Sequence, residues 1–226
     1  MSEVSSFAEL MEQRWSCRAF RAEPVADDVL REVFATAQRT ASWCNTQSWE
    51  VHLLSGDALA WFGKELHDHV VEHPDPAPDI PLPAEYRGIY ADRRREAGVA
   101  MYRVLGIERH DTAGRVEQAM LNYLFFGAPH AVVITTDAIH GTYGAVDCGG
   151  YVANLMNAAL DHGLGSVALG SIGMQAGKVR ELLDLPADRL VVCGLAFGLP
   201  AEEHPVNGYR TSRAALDELV RVVEAP

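Results

Sequence analysis

The chain has 226 residues, enough to bury one sizeable core, and its 48% hydrophobic and 22% charged content is that of an ordinary globular protein. A formal net charge of −12 speaks against a nucleic-acid or anionic-membrane partner, because such binding needs a net or strongly local positive field. Cys17, Cys44, Cys148 and Cys193 show no C-x-x-C spacing, and neither a signal-peptide pattern nor an apolar run of ~20 residues is present, so free thiols in a soluble, cytoplasmic protein are expected.

Residues 7–13 read as a short amphipathic helix that delivers Arg14-Trp15-Ser16-Cys17-Arg18. Two guanidiniums at i and i+4 with a hydroxyl between them suit one phosphate or planar anion, since arginine offers fixed, bidentate donors. The stretch alone also fits a solvated arginine pair closing a helix. Asp27 and Asp28 then open a second helix, whose Val29, Leu30, Val33, Phe34 and Ala37 share a face.

Residues 40–49 carry Ser42, Trp43, Asn45, Gln47 and Trp49 with no helical or strand period, and amides of this kind suit the edge of a flat heteroaromatic ligand. A capped surface turn is the plain alternative. Residues 50–54 alternate as a strand, and 59–71 form a helix buried through Leu59, Phe62, Leu66 and Val70. His67, His69 and His73 lack a matching carboxylate or cysteine motif and read as a solvated face, so no metal is expected.

Five prolines in residues 74–83 exclude regular helix and mark a linker or lid hinge. Residues 84–105 are helix-compatible and carry Tyr86, Tyr90, Tyr102 and a run of arginines, either a cover for a planar or anionic substrate or a solvated face. A helix is expected over 112–126, stopped by Gly127 and Pro129. A buried strand follows over 131–135, then a helix dense in small residues over 147–162. Residues 163–173 run loop, strand, loop. Their glycine spacing, G-x-G followed by a glycine after a strand, fails the dinucleotide rule, while Gly170 and Ser171 permit close backbone approach to a ligand. A short helix over 176–183, a buried strand over 190–197, an irregular stretch over 198–208 and a last helix or arm over 216–223 complete the chain. Tyr209-Arg210-Thr211-Ser212-Arg213 repeats the opening theme of arginines around hydroxyls.

Four stretches together resemble the nitroreductase family of FMN-dependent flavoproteins over nearly the whole chain. They are R-x-S-x-R at Arg14, Ser16 and Arg18; S-x-x-N-x-Q-x-W at Ser42, Asn45, Gln47 and Trp49; the run from Phe125 to His130; and Gly163 through Ser171 followed by Arg213 ahead of Leu216-Asp217-Glu218-Leu219. The resemblance implies a single α+β domain over 1–226, with a central, mostly antiparallel β-sheet flanked by helices. A lid would occupy about 74–110 and a C-terminal arm about 209–226. It implies a homodimer with FMN at the subunit interface and NAD(P)H as electron donor, with a nitroaromatic or quinone reduced by ping-pong hydride transfer through the flavin N5.

Carried onto this sequence, the resemblance gives Arg14, Ser16 and Arg213, helped by Arg210, to the FMN phosphate and ribityl chain. Arg18 and Asn122 fall to the pyrimidine edge, and the amides of Gly170 and Ser171 to the N5 region, and Trp15 and Leu169 are also implied to bind the cofactor. Ser42, Asn45 and Gln47 would reach the partner's flavin, and Trp43, Tyr86, Tyr90 and Tyr102 would meet substrate. No side chain is implied as a catalytic acid or base. Two departures stand out: Ala41 and Ser48 replace the pattern's prolines, and Gly170 stands where some relatives carry glutamate. The same fold hosts dehalogenation, flavin fragmentation and heterocycle oxidation, and an FMN store or sensor is the non-enzymatic alternative.

Overall fold

A computed structural model describes residues 6–225. A capping box opens the first helix, α1 (Phe7–Gln13), with the Ser6 hydroxyl accepting from the Glu9 amide and the Glu9 carboxylate from the Ser6 amide. At Arg14 the backbone turns extended and the chain runs along the body to α2 (Asp27–Ala37).

Four strands form one antiparallel sheet in the order β1 (Trp49–Ser55), β2 (His130–Asp137), β4 (Arg189–Gly198) and β3 (Gly165–Leu169). Antiparallel sheets often leave one face wet and then alternate in polarity, but β2 is buried almost throughout and runs apolar without a break from Ala131 to Ile134, because both of its faces are covered. Ala131 and Val133 point into a core with α3 (Gly56–Glu72), α7 (Gly170–Gly173) and α8 (Ala176–Leu183). Val132 and Ile134 point into the opposite core, with α2 and the long helix α6 (Gly141–Asp161). The register of β2 on β4 shifts between Ile134 and Thr135, leaving Val192 as the extra residue of a bulge.

Several local expectations are corrected. The helix expected over 112–126 ends six residues early, as α5 (Thr112–Met120), because Phe125 and Phe126 turn into left-handed backbone to bury their rings, Phe125 beside Phe62. Core burial there outweighs helical continuation. Conversely α6 begins at Gly141 rather than 147, over a first stretch whose Tyr143 and Val146 stay exposed and so give no apolar period. Gly170–Gly173 is one helical turn rather than loop, and the last helix is only α9 (Leu216–Leu219), since Val220, Val222 and Val223 meet no core on this chain.

The proline-rich segment is pinned. Asp79 pairs with Arg180 of α8 and accepts the Val191 amide of β4 at 2.8 Å, and the Ala77 amide donates to the Met174 carbonyl at 2.7 Å. Beyond it, α4 (Gly88–Val104) buries no residue in either core. Among the described residues no helix is long and apolar enough to cross a membrane and no His, Cys, Asp or Glu cluster is suited to a metal. All four cysteines are free.

Candidate functional site

Residues 14–21 are sewn to the sheet's edge. Ser16 bridges Ser166 in parallel fashion, the Cys17 amide donates to the Ser166 carbonyl at 2.9 Å, and the Arg21 amide donates to Leu199 at 2.9 Å. This approach needs a glycine opposite, because a Cβ on Gly165 would stand 2.7 Å from the Cys17 sulfur and 2.8 Å from its Cβ. Burial pushes the Cys17 thiol up to about 11 in spite of the nearby Arg18 and Arg210 charges, so it stays protonated and packs as a small apolar group.

The C-terminal half meets this strap through Asn207, which is 4% exposed. Its Oδ1 accepts the Arg18 amide at 3.0 Å, and its Nδ2 donates to the carbonyls of Ala19 at 2.7 Å and Ala201 at 2.9 Å. Its own carbonyl accepts Arg210 Nη1 at 2.6 Å. One side chain thus fixes the two arginine-bearing segments against each other. Sequence reading missed it; the only signal was the Asn207-Gly208 turn pair in a stretch taken as irregular.

Between the segments lies a cleft of about 940 Å³ whose lining includes Arg14, Trp15, Ser16, Arg18, Arg210 and Arg213. Met11, Glu12 and Gln13 of α1, Ala97, Gly98 and Met101 of α4, and Tyr209 and Thr211 complete the wall. The Arg210 guanidinium lies 4.5 Å above the Trp15 ring, and the Trp15 indole nitrogen is buried with no hydrogen-bond partner. Among the described residues no carboxylate comes within 4.0 Å of the guanidiniums of Arg14, Arg18, Arg210 or Arg213. Burial, then the Arg213 charge, push Arg14 below its ordinary pKa, and burial does the same for Arg18. In a chain of net −12 this is a concentrated positive site whose arginines are not paired with a carboxylate among the described residues. Such a site takes an anion.

Other expected residues lie elsewhere on the single chain. Ser42, Asn45 and Gln47 belong to a tight turn outside the cleft. The Ser42 hydroxyl accepts the Gln47 amide at 2.9 Å, and Gln47 Nε2 donates to the Asn45 carbonyl at 3.2 Å. Trp43 packs on Tyr143 at 4.5 Å. Asn122 sits half-buried in the turn after α5, its side-chain amide donating to the Ala119 carbonyl. Leu169 caps α7, and Gly170 and Ser171 open it, where the first amides of a helix have no intrahelical acceptor. The Ser171 hydroxyl is buried without a partner. From Ser166 to Gly170 the strand spans about 13 Å, so one elongated ligand lying along β3 has the reach to meet both ends.

Of the expected lid residues, α4 lines the cleft through Ala97, Gly98 and Met101, and Tyr86, Tyr90 and Tyr102 do not. Tyr86 lies under Arg94 at 5.1 Å, Tyr102 under Arg115 at 4.9 Å, and Tyr90 is exposed. The segment after Tyr209 fastens α4. The Tyr209 hydroxyl donates to the Ala97 carbonyl at 2.7 Å, the Ser212 hydroxyl to Glu96 at 3.1 Å, and Arg93 pairs with Glu218 at 3.2 Å.

Comparison with known proteins agrees with this architecture. The Nitroreductase family profile matches residues 11–199. The chain is 29% identical over 212 residues to a 4-nitrobenzoate reductase of Pseudomonas putida, covering 93% of this chain and 92% of that protein. It is 31% identical over 215 residues to the nitroreductase NfnB of Mycolicibacterium smegmatis, covering 94% and 90%. Among solved structures, the FMN-dependent NfnB from Mycobacterium smegmatis in complex with NADPH superposes with a TM-score of 0.91 at 30% identity, over 96% of this chain and 97% of that one. The FMN- and NADPH-dependent NfnB from Sphigopyxis sp. strain HMH gives 0.93 at 31%, over 98% and 100%.

Proposed function

The chain belongs to the nitroreductase family, and from that membership we propose that it is an oxidoreductase that binds FMN, draws electrons from NAD(P)H and reduces a nitroaromatic or quinone acceptor as a homodimer. The observation that carries the reading is the cleft on which Arg14, Arg18, Arg210 and Arg213 converge without a carboxylate partner. Its residues fit a flavin phosphate. The volume is of the size of small-molecule sites, the cations lack counter-ions, and two buried donors, Trp15 Nε1 and Ser171 Oγ, await partners.

Bound FMN supplies two-electron chemistry between a nicotinamide donor and the acceptor. What this chain contributes is position and field. Arg14 and Arg213 would clamp the phosphate bidentately, with Arg210 held ready by Asn207 and Ser16 beside the ribityl chain. Arg18, half-buried and desolvated, would lie toward the pyrimidine edge, where a fixed cation in poorly screened surroundings favours negative charge on the reduced ring. The amides of Gly170 and Ser171 would donate from the start of α7 toward the ring's reactive side. Ser42, Asn45 and Gln47 stand apart from the cleft of their own chain, which suits a role at the second copy's site. Residues 74–110 act as a cover and 209–226 as an arm of one domain.

The test is a visible spectrum of the purified protein after reconstitution with FMN, followed by anaerobic titration with NADH and NADPH and reoxidation with 4-nitrobenzoate or a quinone. Flavin absorbance, bleaching by a nicotinamide and recovery with the acceptor are expected. Absence of bound flavin after reconstitution sinks the reading, and a bound flavin that neither nicotinamide bleaches leaves a store or sensor instead.

A further inference from the structure

We propose that Asp147 is a positioning residue of this site. Its carboxylate, on α6, fixes the 42–48 turn and with it the polar groups of Ser42, Asn45 and Gln47, an inference that rests on the function proposed above. The turn is intrinsically costly. Cys44, Asn45 and Gln47 hold φ of 49°, 57° and 49°, left-handed values that non-glycine residues keep only where the surroundings over-determine them. The prolines that would restrict this loop are absent, with Ala41 and Ser48 in their places.

Helix α6 supplies the missing restraint. The Trp43 amide donates to both oxygens of Asp147, at 3.1 and 3.2 Å, and the Ser48 hydroxyl donates to Oδ2 at 3.4 Å. Asp147 is 8% and Ser48 6% exposed, so the carboxylate is buried although Trp43 itself lies at the surface. No arginine, lysine or histidine of the described residues pairs with this carboxylate within 4.0 Å, and it does not line the cleft. Its partners are the loop alone.

The contact is part of a stripe. One and two turns further along α6, Tyr151 stacks on Trp49 at 4.9 Å and Asn154 donates to the Thr40 hydroxyl at 2.8 Å. Residues 147, 151 and 154 follow the i, i+4, i+7 spacing of one helix face, so a single rigid element grips the loop at its start, middle and end. Ser48 itself puts a hydroxyl in place of the lost proline, and its long contact to the carboxylate is the weakest of these restraints.

The test compares FMN-loaded wild-type protein with Asp147→Ala, Asp147→Asn and Ser48→Ala. It uses hydrogen–deuterium exchange of residues 40–49, the visible spectrum of the bound FMN and the FMN dissociation constant. In Asp147→Ala the loop amides exchange about ten-fold faster, the flavin bands shift and FMN binds roughly ten-fold more weakly. Asp147→Asn keeps an acceptor for the Trp43 amide and falls between; it also serves if Asp147→Ala does not fold. Ser48→Ala moves each readout least. Loop exchange equal to wild type overturns the proposal. So does faster exchange with unchanged flavin spectrum and affinity, which leaves Asp147 a purely structural residue. Wild-type protein that takes up no FMN overturns the function reading and this inference together, whereas an FMN-loaded wild type indistinguishable from Asp147→Ala overturns only this one.

Discussion

Arg213→Ala is expected to weaken FMN binding, to leave riboflavin binding unchanged and to leave the apoprotein no less stable. Arg213 Nη1 here donates to neutral acceptors, the Thr211 hydroxyl at 2.7 Å and the Ser212 carbonyl at 2.8 Å. Exchanging these for a phosphate gains charge-assisted contacts of about 1.5–3 kcal/mol. Because Arg213 is exposed the lower figure applies, and its loss costs roughly ten-fold in affinity. Arg14 is more buried, so Arg14→Ala belongs near the upper figure, roughly a hundred-fold. Burial first, and the Arg213 charge second, lower the Arg14 pKa, so removing either cation relieves like-charge repulsion in the apoprotein. The assay is fluorescence titration of FMN and riboflavin at several salt concentrations, beside thermal melts of apoprotein. The salt dependence of FMN binding should flatten in both variants as a charge is removed. An FMN dissociation constant unchanged in both, or riboflavin affinity falling as far as FMN affinity, refutes the phosphate cradle.

Three further expectations concern how the cleft is held. Gly165→Ala drives a methyl into Cys17 and should lower stability by about 1–3 kcal/mol in chemical denaturation, while alanine at solvent-facing Gly149, with nothing within 4 Å of its Cβ, lacks any such clash. Asn207→Ala strips a buried partner from the Arg18 amide and the Ala19 and Ala201 carbonyls; a loss of about 2–4 kcal/mol with weakened FMN binding is expected, and a melting temperature equal to wild type would refute its role as the pin. His130 Nε2 accepts the Val25 amide at 2.9 Å, and burial holds the imidazole below its ordinary range against a smaller opposing pull from Asp27. The unfolded chain therefore binds the extra proton more readily. This contribution to stability is complete above about pH 6.5 and is lost as pH falls below it. His130→Gln should flatten the melting-temperature profile below about pH 6.5, leaving the contribution of His52, which burial shifts the same way.

Local periodicity determined most of the elements. The apolar faces of α2 and α3 and the β-branched runs of β2 and β4 are written in spacings of a few residues, and short-range side-chain burial is what those spacings encode. The order of the R-x-S-x-R, Ser42 to Trp49 and C-terminal stretches was enough to identify the family, because each stretch keeps its chemistry whatever surrounds it. Tertiary packing decided the rest. Phe125 and Phe126 end α5 early because their rings go into a core built from α3, a partner no local window contains. Asn207 joins Arg18 to Arg210, and Asp147 holds Trp43, across separations of 189 and 104 residues for Arg18 and Trp43. Such pairs carry no period, and only the topology that lays β3 beside residues 16–17 and α6 beside the 42–48 turn brings them within hydrogen-bonding distance.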